Sequence, residues 1–82
     1  MATINITMTG DWIAVGEGGN VTVSPRIYAM EWATGRTKPD IVHGQTLRSY
    51  HATSFTMADG EILWLKGPAN VAIAVDRDAP PS

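Results

Sequence analysis

Glycine and proline interrupt this sequence so often that almost no segment is long enough to form a helix. The breaks fall at Gly10, Gly16 to Gly19, Pro25, Gly35, Pro39, Gly44, Gly60, Gly67 and Pro68. Residues 45–59 form a longer stretch, but β-branched threonines at positions 46, 53 and 56 disfavour a helix there. The chain also has seven Ile, six Val and nine Thr against three Leu, three Glu and two Lys. This composition favours strands.

Period-two alternation then places the individual strands. Ile4, Ile6 and Met8 alternate with polar residues across segment 3–9, which predicts a strand with one solvent-facing side. The sequences Gly16-Glu17-Gly18-Gly19-Asn20 and Ala58-Asp59-Gly60 are typical of turns between strands. The further predicted strands are 11–15, 21–23, 26–33, 50–57, 61–66 and 71–75, and segments 41–43 and 45–47 are predicted as short pieces of strand broken at Gly44. We therefore predict an all-β fold, a small antiparallel β-sandwich or barrel of about seven to eight short strands, jelly-roll-like or Ig-like.

The chain length limits the protein to one domain. With 82 residues, no Cys and a net charge of −2, the sequence excludes a multidomain enzyme, a disulfide scaffold and a strongly basic nucleic-acid binder. We place a single β domain at residues 1–75. Residues 76–82 include Pro80 and Pro81, which cannot continue a strand, so we predict an extended or disordered tail there.

Neither a secretion signal nor a membrane segment is predicted from the sequence. The first residues lack a basic region followed by an apolar stretch. Every apolar run is also much shorter than the roughly 18 residues of a membrane helix. We therefore expect synthesis in a cytoplasm and no membrane partner.

Three predicted strands carry apolar side chains on both faces. They lie at 27–30, 62–65 and 71–75. A thin sandwich built from so short a chain has one interior, so the second face of each strand needs a neighbouring subunit, another partner or the chain's own loops. We favour a subunit or partner interface and predict a homo-oligomer, with a trimer as the expected closed assembly.

The sequence contains no convincing catalytic or cofactor-binding motif. The glycines at 16–19 resemble part of a dinucleotide fingerprint, but no helix follows them. His43 and His51 are the only histidines and are separated by the break at Gly44, so we predict no metal site. No serine lies in a nucleophile-elbow context, and the three glutamates lie in separate segments. We expect a non-enzymatic protein without a cofactor, and a hydrolase is the remaining enzymatic alternative.

The aromatic residues allow two interpretations. A stacking platform for sugars could be formed by Trp12, Trp32, Trp64, Tyr28 and Tyr50. Of these, Tyr28 and Trp32 would share one face of a predicted strand with Met30. Unpaired bases would also require a positive groove, which six basic residues scattered among eight acids do not predict. We favour the other interpretation, in which the aromatic side chains are core or subunit-interface anchors.

Several segments together resemble small virion structural proteins of tailed bacteriophages. They are Thr9 to Gly16, the aromatic segment around Tyr28 to Trp32, the turn Gly44 to Leu47, and Gly60 to Gly67 followed by the small-residue strand Val71 to Val75. This resemblance spans most of the chain and is shared by tail, fibre, head-fibre and capsid-decoration modules. It implies a non-enzymatic, trimeric β-module that is located in the virion, bound to the major capsid protein or another virion protein.

The first hypothesis is therefore a capsid decoration protein that stabilises the head. A compact chain without a fibrous stalk favours direct docking on the particle over an adhesin tip. The residues predicted to form the subunit or partner interface are Ile4, Ile6, Leu63, Trp64 and Leu65. The alternative is a phage fibre or tail receptor-binding or carbohydrate-binding module that uses Trp12, Tyr28 and Trp32.

Overall fold

A computed structural model describes residues 2–77 of the chain, with side chains from residue 3 onward. The described residues form six strands: β1 Ala2–Thr7, β2 Ile13–Ser24, β3 Met30–Gly35, β4 Gln45–Leu47, β5 Thr53–Lys66 and β6 Ala72–Arg77. All strand pairs are antiparallel and belong to one sheet in the order β1-β6-β2-β5-β3-β4. The sheet curls into a half-barrel. The predicted small antiparallel all-β fold is confirmed.

The core is built by the alternation that the sequence predicts. Each strand turns one set of apolar side chains into the concave side of the sheet, where they form a single cluster. Its fully buried members come from or next to every strand: Met8, Val15, Val21, Val23, Met30, Leu47, Leu63, Leu65, Ile73 and Val75. Among the described residues no polar or charged residue is buried. Burial of these side chains is the main stabilising contribution to the domain.

Two predicted turns are instead irregularities within long strands, which lowers the strand count from the predicted seven or eight to six. Glycines 16–19 lie inside β2, and Gly18 and Gly19 have φ of +63° and +69°. In β5, residues 58–61 bulge opposite Gly18, because pairing passes from Glu17↔Ile62 to Gly19↔Met57. A hairpin turn and a bulge both use glycines with positive φ, so the glycines alone did not distinguish the two.

Because of these bulges, β2 and β5 each extend through both halves of the sheet. Residues 13–17 of β2 pair with residues 62–65 of β5, and this part of β5 also pairs with β3. Beyond the bulges, residues 21–23 of β2 pair with both β5 and β6, and Ser24 pairs with β6. Because bulges bend and twist the strands that contain them, the sheet curves around its core.

The last strand continues further than predicted. β6 includes Asp76 and Arg77, which were predicted to belong to the tail. Asp76 pairs in register with Thr3 and Thr22 and accepts a hydrogen bond from the Thr3 hydroxyl. Arg77 donates a hydrogen bond to the Val15 carbonyl at 3.4 Å. These cross-strand partners extend the strand by two residues, and the rest of the predicted tail, 78–82, lies outside the described residues.

Candidate interaction surface

The loop between β2 and β3 carries large side chains that are exposed to solvent. Pro25 ends β2, and residues 25–29 form a loop instead of the first part of the strand predicted at 26–33. Ile27 is 66% exposed and Tyr28 is 50% exposed in this loop. The predicted shared face of Tyr28, Met30 and Trp32 is therefore not present, because only Met30 and Trp32 lie on β3 and pack with the core.

A second loop brings Tyr50 to the same place. The Tyr50 amide donates to the carbonyl oxygens of Pro25 at 3.2 Å and Arg26 at 2.9 Å, which ties the β4–β5 loop to the β2–β3 loop. Tyr50 has a φ of +56°, a left-handed conformation that is uncommon for a tyrosine. Its side chain is 71% exposed. The backbone is thus held in an unfavourable conformation at a residue whose large ring faces solvent.

These two loops and the start of β6 enclose a shallow hollow of about 370 Å³, which we call the tyrosine hollow. Its lining residues are Arg26, Ile27, Tyr28, Tyr50, Val71 and Ala72. Arg26 is the one charged residue in this set. The hollow therefore presents two phenol rings and aliphatic surface beside a guanidinium group, a combination suited to an apolar ligand with a neighbouring negative charge.

A second exposed apolar site lies on the loop between β3 and β4. Ile41 is 52% exposed and Val42 is 69% exposed. The Trp12 ring nitrogen donates to the Ile41 carbonyl at 3.0 Å, and Lys66 Nζ donates to the Val42 carbonyl at 3.1 Å. Lys66 Nζ also lies 5.9 Å from the centre of the Trp12 ring. These contacts fix the backbone of the loop, while the two aliphatic side chains stay in solvent.

Charged groups beside Trp12 strengthen the attachment of this loop. Lys38 Nζ lies 2.5 Å from Asp11 Oδ2, and the Trp12 amide donates to Asp11 Oδ1 at 2.8 Å. The hydrogen bond from Lys38 holds the pKa of Asp11 below its ordinary value, and the Trp12 amide lowers it further. On the other side of the loop, Glu31 Oε1 accepts from the Gly44 amide at 3.2 Å and lies 3.0 Å from His43 Nδ1.

The structure separates the five residues predicted to form an interface. Leu63 and Leu65 are completely buried in the core, so the prediction that they contact another subunit is corrected. Leu63 and Leu65 alternate with Ile62 and Trp64 along β5. Because neighbouring residues on a strand face opposite sides of the sheet, Leu63 and Leu65 face the core. Ile4 and Ile6 are partly buried against the core from β1, which lies at the edge of the sheet.

Trp64 lies on the outer face of the sheet and is half-buried. In register it is flanked by Ala14 on β2 and Ala33 on β3, whose small side chains leave room for the indole ring. Its ring nitrogen donates to the Gly35 carbonyl at 3.2 Å. Part of the cover that this apolar face requires therefore comes from the chain itself.

The three aromatic residues predicted to contact glycans are not assembled on one surface. Trp12 is 5% exposed, and Trp32 packs on the core with its ring edge-to-face against Phe55, at a centroid distance of 4.8 Å. Tyr28 lies in the tyrosine hollow. Sequence reasoning counted Tyr50 in a possible stacking platform and Ile27 in a strand that needs a partner, but it did not predict that the two residues lie together beside Tyr28. Pro25 is the local signal that could have indicated a loop at Ile27, whereas the contact with Tyr50 is set by the fold.

The described part of the chain shows no cluster of metal ligands. Within residues 2–77 no three His, Asp or Glu side chains converge in a way that could hold a metal ion. His51 Nδ1 lies 3.0 Å from the Ala52 carbonyl, and His43 lies next to Glu31. In the same range there is no helix long and apolar enough to cross a membrane.

Comparison of the chain with protein-family models, with curated proteins and with solved structures gives no match.

Proposed function

We propose that this protein is an accessory structural protein of a tailed bacteriophage virion, and that it decorates the capsid surface as an oligomer. Two observations support the proposal. The first is the resemblance to small virion proteins of tailed phages that is predicted from the sequence, and the second is the fold, a small all-β domain of the kind that this resemblance implies. The proposed partners are further copies of this chain and the major capsid protein or another virion protein.

The observation that carries the proposal is the pair of exposed apolar sites. The tyrosine hollow contains Ile27, Tyr28 and Tyr50, and the β3–β4 loop carries Ile41 and Val42, all at least half exposed. Contiguous apolar surface on a small domain is characteristic of protein interfaces, and aromatic residues are enriched there. Two such sites allow one contact with a neighbouring copy and a second contact with the particle.

We assign the contact with the particle to the β3–β4 loop. Its backbone is held by Trp12 and Lys66, so Ile41 and Val42 are presented without a large ordering cost on binding. A protein that binds the assembled shell but not the free shell subunits stabilises the shell by mass action. The expected role is therefore resistance of the head to heat or chemical disruption.

The experiment compares purified virions that carry the wild-type chain, a Val42→Glu chain or an Ala58→Glu chain. Both substitutions add one negative charge at an exposed position, but Ala58 lies on the β5 bulge and not at the end of β5, where Lys66 holds the Val42 carbonyl. We expect many copies of the wild-type and Ala58→Glu chains per particle by mass spectrometry. Val42→Glu should reduce the bound copies about tenfold or more, because it places a charge in an apolar contact.

Circular dichroism of the free Val42→Glu chain provides the folding control. Absence of the wild-type chain from purified virions would refute the proposal. Equal occupancy of folded Val42→Glu and wild-type chains would refute the assignment of the contact to the β3–β4 loop. The carbohydrate-binding alternative is not proposed, because Trp12 and Trp32 do not join Tyr28 on a common surface.

A further inference from the structure

We propose that the tyrosine hollow binds segment 78–82 of a second copy of this chain. The structure supplies the receptor, and the sequence beyond β6 supplies the ligand. This inference does not depend on a virion, because it concerns the contact between copies in solution.

The hollow has the chemistry of a groove that recognises proline-rich peptides. Such grooves are lined by aromatic rings, on which proline rings of a polyproline II segment pack with little loss of conformational entropy. Tyr28 and Tyr50 supply two exposed rings, and Val71 and Ala72 supply the aliphatic floor. A ligand of this class needs no deep cavity, which agrees with the shallow shape of the hollow.

Segment 78–82 has the matching sequence, Asp78-Ala79-Pro80-Pro81-Ser82. Adjacent prolines favour the polyproline II conformation and cannot donate the backbone hydrogen bonds of a strand. Asp78 lies two residues before Pro80 and provides a negative charge for Arg26, which is exposed at the rim of the hollow. A carboxylate and a guanidinium group form the strongest class of charged hydrogen bond.

The geometry of β6 assigns the segment to a second copy. The hollow is next to Val71 and Ala72, at the beginning of β6, whereas residue 78 follows Arg77 at its end. Arg77 lies five positions after Ala72 along the strand, a distance of about 16 Å. Pro80 lies three residues beyond Arg77 and reaches about 10 Å from it when fully extended, and a reversal of direction shortens this further. The prolines of one chain therefore fall short of its own hollow.

The test uses two complementary variants. Deletion of residues 78–82 removes the ligand and keeps the hollow. Tyr50→Asn removes one ring, and asparagine tolerates the left-handed backbone conformation of this position. In sedimentation velocity we expect concentration-dependent association of the wild-type chain. Each variant alone should associate at least tenfold more weakly, since each lacks one half of the contact.

A mixture of the two variants tests whether the segment of one chain binds the hollow of another chain. The deleted chain keeps an intact hollow and the Tyr50→Asn chain keeps an intact segment, so together they should form a one-to-one complex. Nuclear magnetic resonance of the deleted chain with a synthetic peptide of residues 76–82 should shift the Tyr28 and Tyr50 ring signals. The peptide with both prolines replaced by alanine is the matched control and should shift them much less.

Several results would overturn the proposal. In sedimentation velocity, these are a wild-type chain that stays monomeric at all concentrations, a deletion that leaves association unchanged, and a mixture of the two variants that does not associate. In nuclear magnetic resonance, it is a peptide that does not shift the tyrosine ring signals. Contacts between the segment and the hollow within a dilute monomer would overturn the assignment to a second copy. Because Tyr50→Asn could unfold the chain, Tyr28→Ala in the exposed loop provides a second variant with the same expected results.

Discussion

Gly44 is the residue with the least room for a side chain. A Cβ atom at this position would lie 2.4 Å from the Trp32 carbonyl oxygen and 2.7 Å from Cη2 of Trp12. Contacts this short require the backbone to move, since neither the strand carbonyl nor the enclosed indole ring can yield easily. Gly44 therefore allows the β3–β4 loop to pass close to β3 before β4 begins.

We predict that Gly44→Ala lowers the free energy of unfolding by about 1–3 kcal/mol, the usual cost of overpacking. Gly35→Ala is the matched control, because its Cβ would meet nothing closer than the Thr37 carbonyl oxygen at 3.6 Å. Urea unfolding followed by tryptophan fluorescence measures both variants. Equal stability of the two would show that the loop can move away from Trp32 at no cost.

Asp11 gives a second prediction at this scale. The hydrogen bond from Lys38 and then that from the Trp12 amide lower its folded pKa below 3.8. A lowered folded pKa contributes stability above the unfolded pKa, and the contribution is lost as the pH falls through the folded pKa. A carbon-13 titration of the Asp11 carboxyl should give a pKa below the ordinary value, and Lys38→Gln should raise it. A pKa unchanged by Lys38→Gln would contradict this cause.

At the scale of elements, the strand pattern was more predictable than the strand ends. The alternation of Ile4, Ile6 and Met8 predicted β1 and the side that packs on the core. The bulges were not predicted from the sequence. Whether a glycine-rich segment forms a turn or a bulge depends on how β2 pairs with β5, which is a contact between residues distant in sequence. The surface site was missed for a similar reason: the hydrogen bond between Tyr50 and the β2–β3 loop joins residues that are distant in sequence.

The burial pattern along β5 predicts different losses of stability at buried and exposed positions. Leu63→Ala should cost about 2–5 kcal/mol, because it leaves a cavity in a fully buried site. Ser54→Ala, on the exposed face of the same strand, should cost about 0.5 kcal/mol or less. Thermal and urea unfolding measure the difference. The Leu63→Ala chain that remains folded should also keep the oligomeric state of the wild type, whereas selective loss of association would return Leu63 to an interface role.

At the scale of the whole molecule, a single curled sheet of 32 × 26 × 18 Å leaves apolar surface at separate places. The sequence indicated that a chain of this size cannot cover all its apolar side chains. It placed the excess on three strands with apolar side chains on both faces, but the structure places most of the large exposed residues on loops. The reason is that small alanines and the packed Trp64 occupy the outer strand faces, while the loops carry Ile27, Tyr28 and Tyr50.

The pairing of β1 with β6 also sets the order in which the molecule can form. Ala2 pairs with Arg77 and Thr7 with Ala72, so the strand that is synthesised first has its partner in the strand that is synthesised last. Until the residues of β6 have been made, β1 has no partner within the described sheet. Contacts between such distant residues slow folding, because a long loop must close before they form. A nascent chain therefore carries an unpaired, uncharged strand until β6 has been made, and the sheet is completed only after all six described strands have been synthesised.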